Sequence, residues 1–449
     1  MYLNMKKALC IAAALLTLIG CSTKTKNPEE PLKHPDWAYN ATIYELNTRQ
    51  FTQEGTFVAA EAELPALKAL GIDIIWIMPV QPIGEVGRKG TLGSYYAIKD
   101  YCAFNPEFGT REDFVSFLNT AHDLGMSVIL DWVANHTAPD NAWTNNYDWY
   151  YRDSLGNLMV QYDWTDIAKL NYGNQDMRNE MLKSMRWWLD SIGIDGFRCD
   201  VAMEVPTDFW EWAFDSLRVD YPSLFALSEA EKPELNQKAF DMYYGWELHH
   251  LMNDVAQSKK TVDDLWDYFA KADTVFPDYA IRMNFTSNHD ENSWNGTEFE
   301  RMGKASGVMA AFTYVVPGMP LIYTGQEYAN NHRLAFFDKD VIERNHTPEF
   351  AMYQDLNQVR KDNPVLWSNE LGAPMQRVVC DNPDIFACVR TNGDNTVIGI
   401  FNFSPQEQSF ALQTEGLEGD YTCICGMPVH LGAADHITLK PWEWLIYHN

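Results

Sequence analysis

Residues 193–205 read "GIDGFRCDVAMEV". An apolar, strand-like run carries Arg198 in its middle and Asp200 two places later. A charge in such a run is costly unless it is paired or has work to do. On a strand, alternate side chains face opposite ways. Phe197, Cys199 and Val201 then share one face, packed on surrounding helices, while Arg198 and Asp200 share the other. If the strand belongs to a closed barrel, that second face points inward. The charged pair would sit near the strand's C-terminal end, where barrel enzymes keep their chemistry. A neighbouring guanidinium lowers a carboxylate's pKa, so Asp200 is expected to stay ionised beside its counter-ion. A purely structural ion pair explains this motif equally well.

The flanking pattern argues for the barrel. From about residue 41 to 360, short apolar runs alternate with helical periodicities. "ATIYEL", "IDIIWIMPV", "MSVILDWV", the opening segment, "LFALSEA", "AFDMYY", "IRMNFTS" and "MPLIYTG" supply eight candidate strands. Between them, Thr110 and Asp113 have capping-box spacing ahead of a stripe of Phe114, Phe117, Leu118 and Ala121, and Gly125 closes that helix. Met177, Met181, Met185, Trp188 and Leu189 form a second stripe. Eight strands with helices between them predict an α/β chain folded as a parallel (β/α)8 barrel. A doubly wound open sheet would want a glycine-rich phosphate turn, and the sequence has none. The aromatic, polar stretch at about 137–175 is too long for a plain barrel loop and reads as a functional excursion over the mouth. From about Pro374 the pattern turns to period two, with "NGD" (392–394) at a hairpin turn, which predicts a C-terminal antiparallel β domain at 374–449, a sandwich. The barrel is expected over 38–373.

Composition narrows the function classes. Of 449 residues, 46% are hydrophobic and 21% charged, as in a core-forming globular protein. Lys and Arg number 34 against 62 Asp and Glu, a net charge of −28, which repels phosphate backbones, so no nucleic-acid partner is expected. The 16 Trp and 22 Tyr suit the C–H faces of sugars, although most are expected in the core.

The first residues read as a targeting segment. Lys6 and Lys7 precede "ALCIAAALLTLIGC", too short to span a membrane but built like a secretory signal. "LIGC" (Leu18 to Cys21) resembles a bacterial lipobox; residues 1–20 are then a signal peptide, Cys21 a lipidation site and residues 21–37 a polar tether. The expectation is an exported lipoprotein anchored to a membrane through Cys21; an ordinary signal peptide with a chance cysteine is the alternative. Six cysteines follow, and Cys380 and Cys388, flanking "DNPD", could meet across a hairpin.

Other strand ends carry further candidates. "SVILDWVANH" ends in Asp131, Asn135 and His136, Glu229 follows the strand "FALS", and "MNFTSNHDEN" supplies Asn288, His289 and Asp290. Singly, each carboxylate reads as a cap or a surface charge and each histidine as a core residue. In a barrel, Asp200, Glu229 and Asp290 converge on one mouth.

These segments together resemble the α-amylase family of glycoside hydrolases. "DWVANH", "GFRCDVAME", "ALSEAE" and "FTSNHD" stand in the order of the family's four signature segments. "LGIDIIWIMPVQP", "GSYYAIKDY" with "NPEFGT", and "PGMPLIYTGQE" agree. The resemblance runs over roughly residues 38–449. It implies that Asp200 is the nucleophile, Glu229 the general acid/base and Asp290 the transition-state stabiliser of a retaining cleavage of α-1,4-glucosidic bonds in starch-like glucans or maltooligosaccharides. Glu231, two places from Glu229 on the same face, is the rival acid. Arg198, His136 and His289 match sugar-site positions and Tyr96 a stacking ring, whereas Asp100 reads as a structural acceptor. "DVAMEV" and "KLN" (Lys169 to Asn171) look more like the matching stretches of neopullulanases and cyclomaltodextrinases than those of classical α-amylases. A transglycosylase on the same scaffold, or a non-catalytic glucan-binding surface lipoprotein, are the alternative functions. No cofactor is implied. The family's usual calcium site would use Asn135, but the insertion is short and lacks an Asp-rich loop, so a structural calcium ion and other metals are not expected.

Overall fold

The computed structural model describes residues 32–344, 347–432 and 434–449. The signal segment, Cys21 and most of the tether lie outside the described residues. Eight strands close a parallel barrel: β1 (Ile43–Leu46), β2 (Ile74–Ile77), β3 (Ser127–Trp132), β4 (Gly196–Cys199), β5 (Phe225–Ser228), β6 (Met242–Tyr244), β7 (Ile281–Asn284) and β8 (Met319–Tyr323). Each pairs in parallel with its sequence neighbour, and β1 closes on β8 through Ile43 opposite Leu321. They are the eight runs expected from the sequence.

Strand alternation divides the side chains between two cores. Tyr44, Leu46, Ile75, Ile77, Val128, Leu130, Phe197 and Cys199 face outward onto the helices. Ile43, Ile74, Trp76, Ile129, Leu227, Met242, Tyr244, Met283 and Leu321 fill the barrel. The interior is tight at Gly196, where a Cβ would lie 2.0 Å from the Phe225 carbonyl oxygen. Helix α1 (Phe57–Leu70) follows β1. Helix α2 (Arg111–Asp123) starts at the Thr110–Asp113 capping box and buries Phe114, Phe117, Leu118 and Ala121. Helix α3 (Gln175–Ser191) buries the methionine stripe ahead of β4, and α4 (Thr207–Arg218) and α5 (Trp246–Ala256) follow β4 and β6. The segment before β1 stops the barrel's N-terminal end: Ala38 packs inside, and the His34 ring bonds Asp241 at 2.7 Å.

One expectation about β4 is corrected. The strand ends at Cys199, so Val201 does not share its face. Val201 takes a left-handed conformation (φ 34°), which a β-branched residue adopts only where the surroundings hold it there.

The C-terminal part forms two antiparallel sheets. One contains β9 (Met375–Arg377), β10 (Ile385–Thr391), β11 (Thr396–Asn402), β13 (Gly419–Cys423), β14 (Pro428–Leu431) and β16 (Trp444–His448); the other pairs β12 (Gln408–Gln413) with β15 (Ala434–Leu439). Ile398, Ile400, Phe410, Leu412 and Leu439 pack between them. The other face of the large sheet rests on the barrel. Phe386 stacks on Trp266 at 4.1 Å, and the Phe312 ring meets Phe386 and Phe401 edge-on at 4.9 and 5.4 Å. Phe312 belongs to α7 (Ser306–Val315), and Trp266 to α6 (Val262–Val275). Buried Arg390 and Arg360 both donate to the Leu366 carbonyl at this junction, at 3.4 and 2.6 Å. Cys380 and Cys388 are both free thiols. Cys388 lies in β10 opposite Arg377 and Gly399, while Cys380 turns its Sγ toward the Asn382 carbonyl at 3.3 Å. The hairpin register carries them past each other, and the suggested pairing does not form.

The aromatic junction yields a stability prediction. Phe312→Ala should cost about 3–5 kcal/mol, the usual penalty for emptying a buried aromatic site. A urea midpoint within error of wild type would show that the sheet and barrel do not stabilise each other there.

Candidate active site

The strand alternation that fills the barrel with apolar groups brings polar ones inward near its C-terminal end. Glu45, Asp131 and Arg198 occupy inward positions of β1, β3 and β4, and each is fully buried. Asp200 and Glu229 follow β4 and β5 and are 7% and 8% exposed.

Arg198 is the centre of the group. Its Nη1 donates to Asp131 Oδ1 at 2.9 Å and to Asp200 Oδ1 at 3.3 Å, and its Nε donates to the Tyr244 hydroxyl at 3.1 Å. Nη2 lies 2.8 Å from Glu229 Oε2 as an ion pair, although the N–H is not aligned for a hydrogen bond. Trp76, Tyr244 and Tyr96 surround the guanidinium at 4.8, 5.4 and 5.9 Å from their ring centres. Glu229 Oε2 also accepts from the Val201 amide at 2.8 Å. The strained turn at Val201 thus has a consequence: it aims a backbone N–H from the end of one strand at the carboxylate of the next.

His289 carries the cluster across the mouth. Its Nε2 lies 2.8 Å from the Tyr96 hydroxyl and 3.4 Å from Asp290 Oδ2, and its Nδ1 bonds Glu45. Tyr96 donates to Asp131 at 3.0 Å, and its ring clusters with those of His289 and Phe336, the three centres 5.4–6.4 Å apart. The Asp290 side chain remains 38% exposed, open to the mouth.

His136 sits apart. It lies in a two-residue ribbon, His136–Thr137 paired with Ala168–Lys169, that begins the excursion. Its ring packs by Trp164 at 5.6 Å, and no hydrogen bond or ion pair among the described residues joins it to the three carboxylates. Burial pushes its pKa down to about 3, so it is neutral. The excursion is tied to the loop after β4: the Tyr162 hydroxyl and Gln161 donate to Glu204 at 2.6 and 3.1 Å. Glu231 Oε2 accepts the Glu247 amide at 2.8 Å at the first turn of α5 (Trp246–Ala256), and so has a structural partner. Asp100 likewise accepts the Cys102 amide at 2.9 Å. Asn135 Nδ2 faces His136 Nδ1 at 3.2 Å, and among the described residues no three His, Cys, Asp or Glu side chains gather as metal ligands.

Electrostatics correct one expectation. Burial, then repulsion from Glu229, raise the Asp200 pKa well above the carboxylate range, and Arg198 does not offset them. The guanidinium is shared with Asp131 and Glu229, which it approaches more closely than Asp200. Burial raises Glu229 as well, against Arg198. Two carboxyls facing one shared cation thus hold their protons more tightly than ordinary carboxyls, an arrangement that lets the pair present one acid and one base. Glu45, Trp76, Tyr244 and Phe336 were missed in the sequence, where they read as ordinary strand or loop residues; only the inward parity of Glu45 on β1 could have flagged it.

The raised pair has a sign that can be checked. Its stabilising contribution is full below the ordinary carboxylate range and is lost as pH rises through the elevated folded values. Asp200→Asn removes much of that loss, so its melting temperature should exceed wild type's by more at pH 8 than at pH 4.5. A constant difference between the two would refute the raised pair.

The model of the α-amylase catalytic domain matches residues 50–148 and 140–373. A crystal structure of an α-amylase from Lactobacillus plantarum superposes with a TM-score of 0.83 at 30% identity, covering 91% of this chain and 99% of that one. The α-amylase MalA of Haloarcula japonica is 28% identical over 92% of this chain, and the α-1,4-glucan:maltose-1-phosphate maltosyltransferase of Salinibacter ruber is 26% identical over 83%. The chain spans 63% and 61% of the length of these two relatives.

Proposed function

The chain belongs to the α-amylase family of glycoside hydrolases, and from that premise we propose that it is a retaining enzyme that hydrolyses α-1,4-glucosidic bonds in starch-like glucans or maltooligosaccharides. The observation that carries this reading is the single guanidinium of Arg198, which contacts Asp200 and Glu229 together while Asp290 faces them through His289. Retaining cleavage needs two carboxyl groups roughly 5–5.5 Å apart on one glycosidic bond.

Asp200 attacks the anomeric carbon, and Glu229 gives its proton to the leaving oxygen. A proton must sit on Glu229 for this step, with Asp200 keeping Arg198 Nη1 as its counter-charge. Water then enters, Glu229 takes its proton, and the Asp200–sugar ester is cleaved. Asp290, the most exposed of the three, binds the neighbouring hydroxyls most tightly as the ring flattens toward an oxocarbenium ion. Tyr96 and His289 form the floor under that ring, and His136 and Trp164 its outer wall.

Transglycosylation is the second reading, supported by the likeness to the Salinibacter ruber maltosyltransferase. It differs only in whether water or a sugar hydroxyl resolves the ester. A silent glucan-binding protein is disfavoured, because burying three carboxylates around one arginine is costly without chemistry to serve.

Reducing-end release from starch and maltotriose should fall by at least about 10³-fold in Asp200→Asn and Glu229→Gln, losses in keeping with removal of a covalent nucleophile or its acid partner. Glu231→Gln should keep near wild-type activity. Equal activity of Asp200→Asn and wild type would refute the nucleophile, and loss only in Glu231→Gln would move the acid role there. Product analysis separates hydrolysis from transfer, since longer oligosaccharides appear only with transfer.

We further propose that the protein is exported and held at a membrane by a lipid on Cys21. Among the described residues no helix is long and apolar enough to cross a membrane. Cys21→Ser should move the protein to the soluble fraction; continued membrane association would overturn the anchor.

A further inference from the structure

Glu45 is a fully buried carboxylate that the cleavage reading does not use. It projects inward from β1, and its Oε1 is hydrogen-bonded to His289 Nδ1. Its Oε2 is buried without a hydrogen-bond partner. A buried carboxylate so poorly served needs a full positive charge close by. We propose that Glu45 is a positioning residue that takes the Nδ1–H of His289 and thereby holds the ring as an imidazolium, with its Nε2–H aimed at the mouth beside Asp290. This rests on the function proposed above and adds a member to its machinery.

Hydrogen-bond bookkeeping supports the charge. The Tyr96 hydroxyl has one proton, and Asp131 Oδ2, an acceptor at 3.0 Å, takes it. The Tyr96 oxygen, 2.8 Å from His289 Nε2, is then left to accept. Nε2 must carry a hydrogen, and an ionised Glu45 takes a second from Nδ1; burial raises the Glu45 pKa, and His289 and Arg198 pull it back down. Both nitrogens donate, and a ring with two donors is charged. A buried carboxylate does the same for an imidazole in other hydrolases, fixing the ring and stabilising its cation.

The groups facing His289 agree. Asp290 precedes the π-helical turn Glu291–Asn295, Glu45 comes from β1, Glu229 from the end of β5, and Tyr96 from the loop after β2. Arg198 on β4 is the opposing cation. Burial works against the charged ring, but Asp290 and Glu45 outweigh it and push the pKa up to about 9. Glutamine in place of Glu45 could still bond the ring, yet would supply no charge.

The test compares wild type, Glu45→Gln, His289→Asn and the double variant across pH 5–10 on maltotriose. Glu45→Gln should lower kcat/KM by about 10- to 100-fold, by analogy with the loss when a carboxylate behind a metal-ligating histidine is removed. The loss should fall mainly in kcat, and the alkaline limb should move toward the ordinary histidine range near 6.5. The double variant should lose no more than His289→Asn alone, because the two residues act as one unit. Additive losses, or an alkaline limb unmoved in Glu45→Gln, would overturn the proposal. If Glu45→Gln does not fold, the ¹⁵N shifts of the wild-type ring, assigned against His289→Asn, decide: both nitrogens protonated at pH 7.5 supports it, and a neutral ring overturns it. Asp200→Asn run in parallel separates the two levels: were it fully active, the cleavage reading itself would fail, whereas inactive Asp200→Asn with unaffected Glu45→Gln would sink only the role of Glu45.

Discussion

The site depends on one buried guanidinium. Arg198 is fully buried, so its charge must be met by groups inside the barrel. Asp131 meets it from β3, Asp200 from the end of its own strand and Glu229 from the next. Those carboxylates are distant in the chain, and the cation they share sets their spacing and their angles. Aromatic faces from Trp76, Tyr244 and Tyr96 complete the shell without adding charge.

That shell is short of positive charge. Arg198 and His289 are surrounded by Glu45, Asp131, Asp200, Glu229 and Asp290. Low dielectric makes each uncompensated anion costly, and protons are held more tightly in response. The same shortage that weakens the fold therefore poises the site: a carboxyl whose pKa is raised by burial is better suited to donate a proton than an ordinary one. Val201 is a second concession to chemistry, a strained turn whose amide serves Glu229. The rigid closed barrel, with a β domain packed on its helices through Phe312, Phe386 and Trp266, accommodates both.

The fold was legible because periodicity records burial. Eight apolar runs became eight barrel strands, the Thr110–Asp113 capping box opened its helix, and the methionine stripe of residues 177–185 lay against the core. Reading failed where a local pattern ended in a turn or a register. Val201 continued the alternation on paper but left the strand in space. Cys380 and Cys388 bracket a turn, yet strand pairing sets them past each other. Strand β14 went unread because its four residues, Pro428–Leu431, alternate too briefly to register.

What the sequence by itself determined is which residue types stand at which strand ends: a guanidinium and a carboxylate two apart, a glutamate after the next strand, and a histidine beside an aspartate. Side-chain parity on a strand is a local property, and it is written in the order of the residues. What only the tertiary structure decided is how one cation is divided among its anions. Arg198 lies nearer Asp131 and Glu229 than Asp200, and His289 answers to Glu45 from the first strand. Those are distances between strands far apart in the chain, and protonation follows distance and burial, which no stretch of sequence contains.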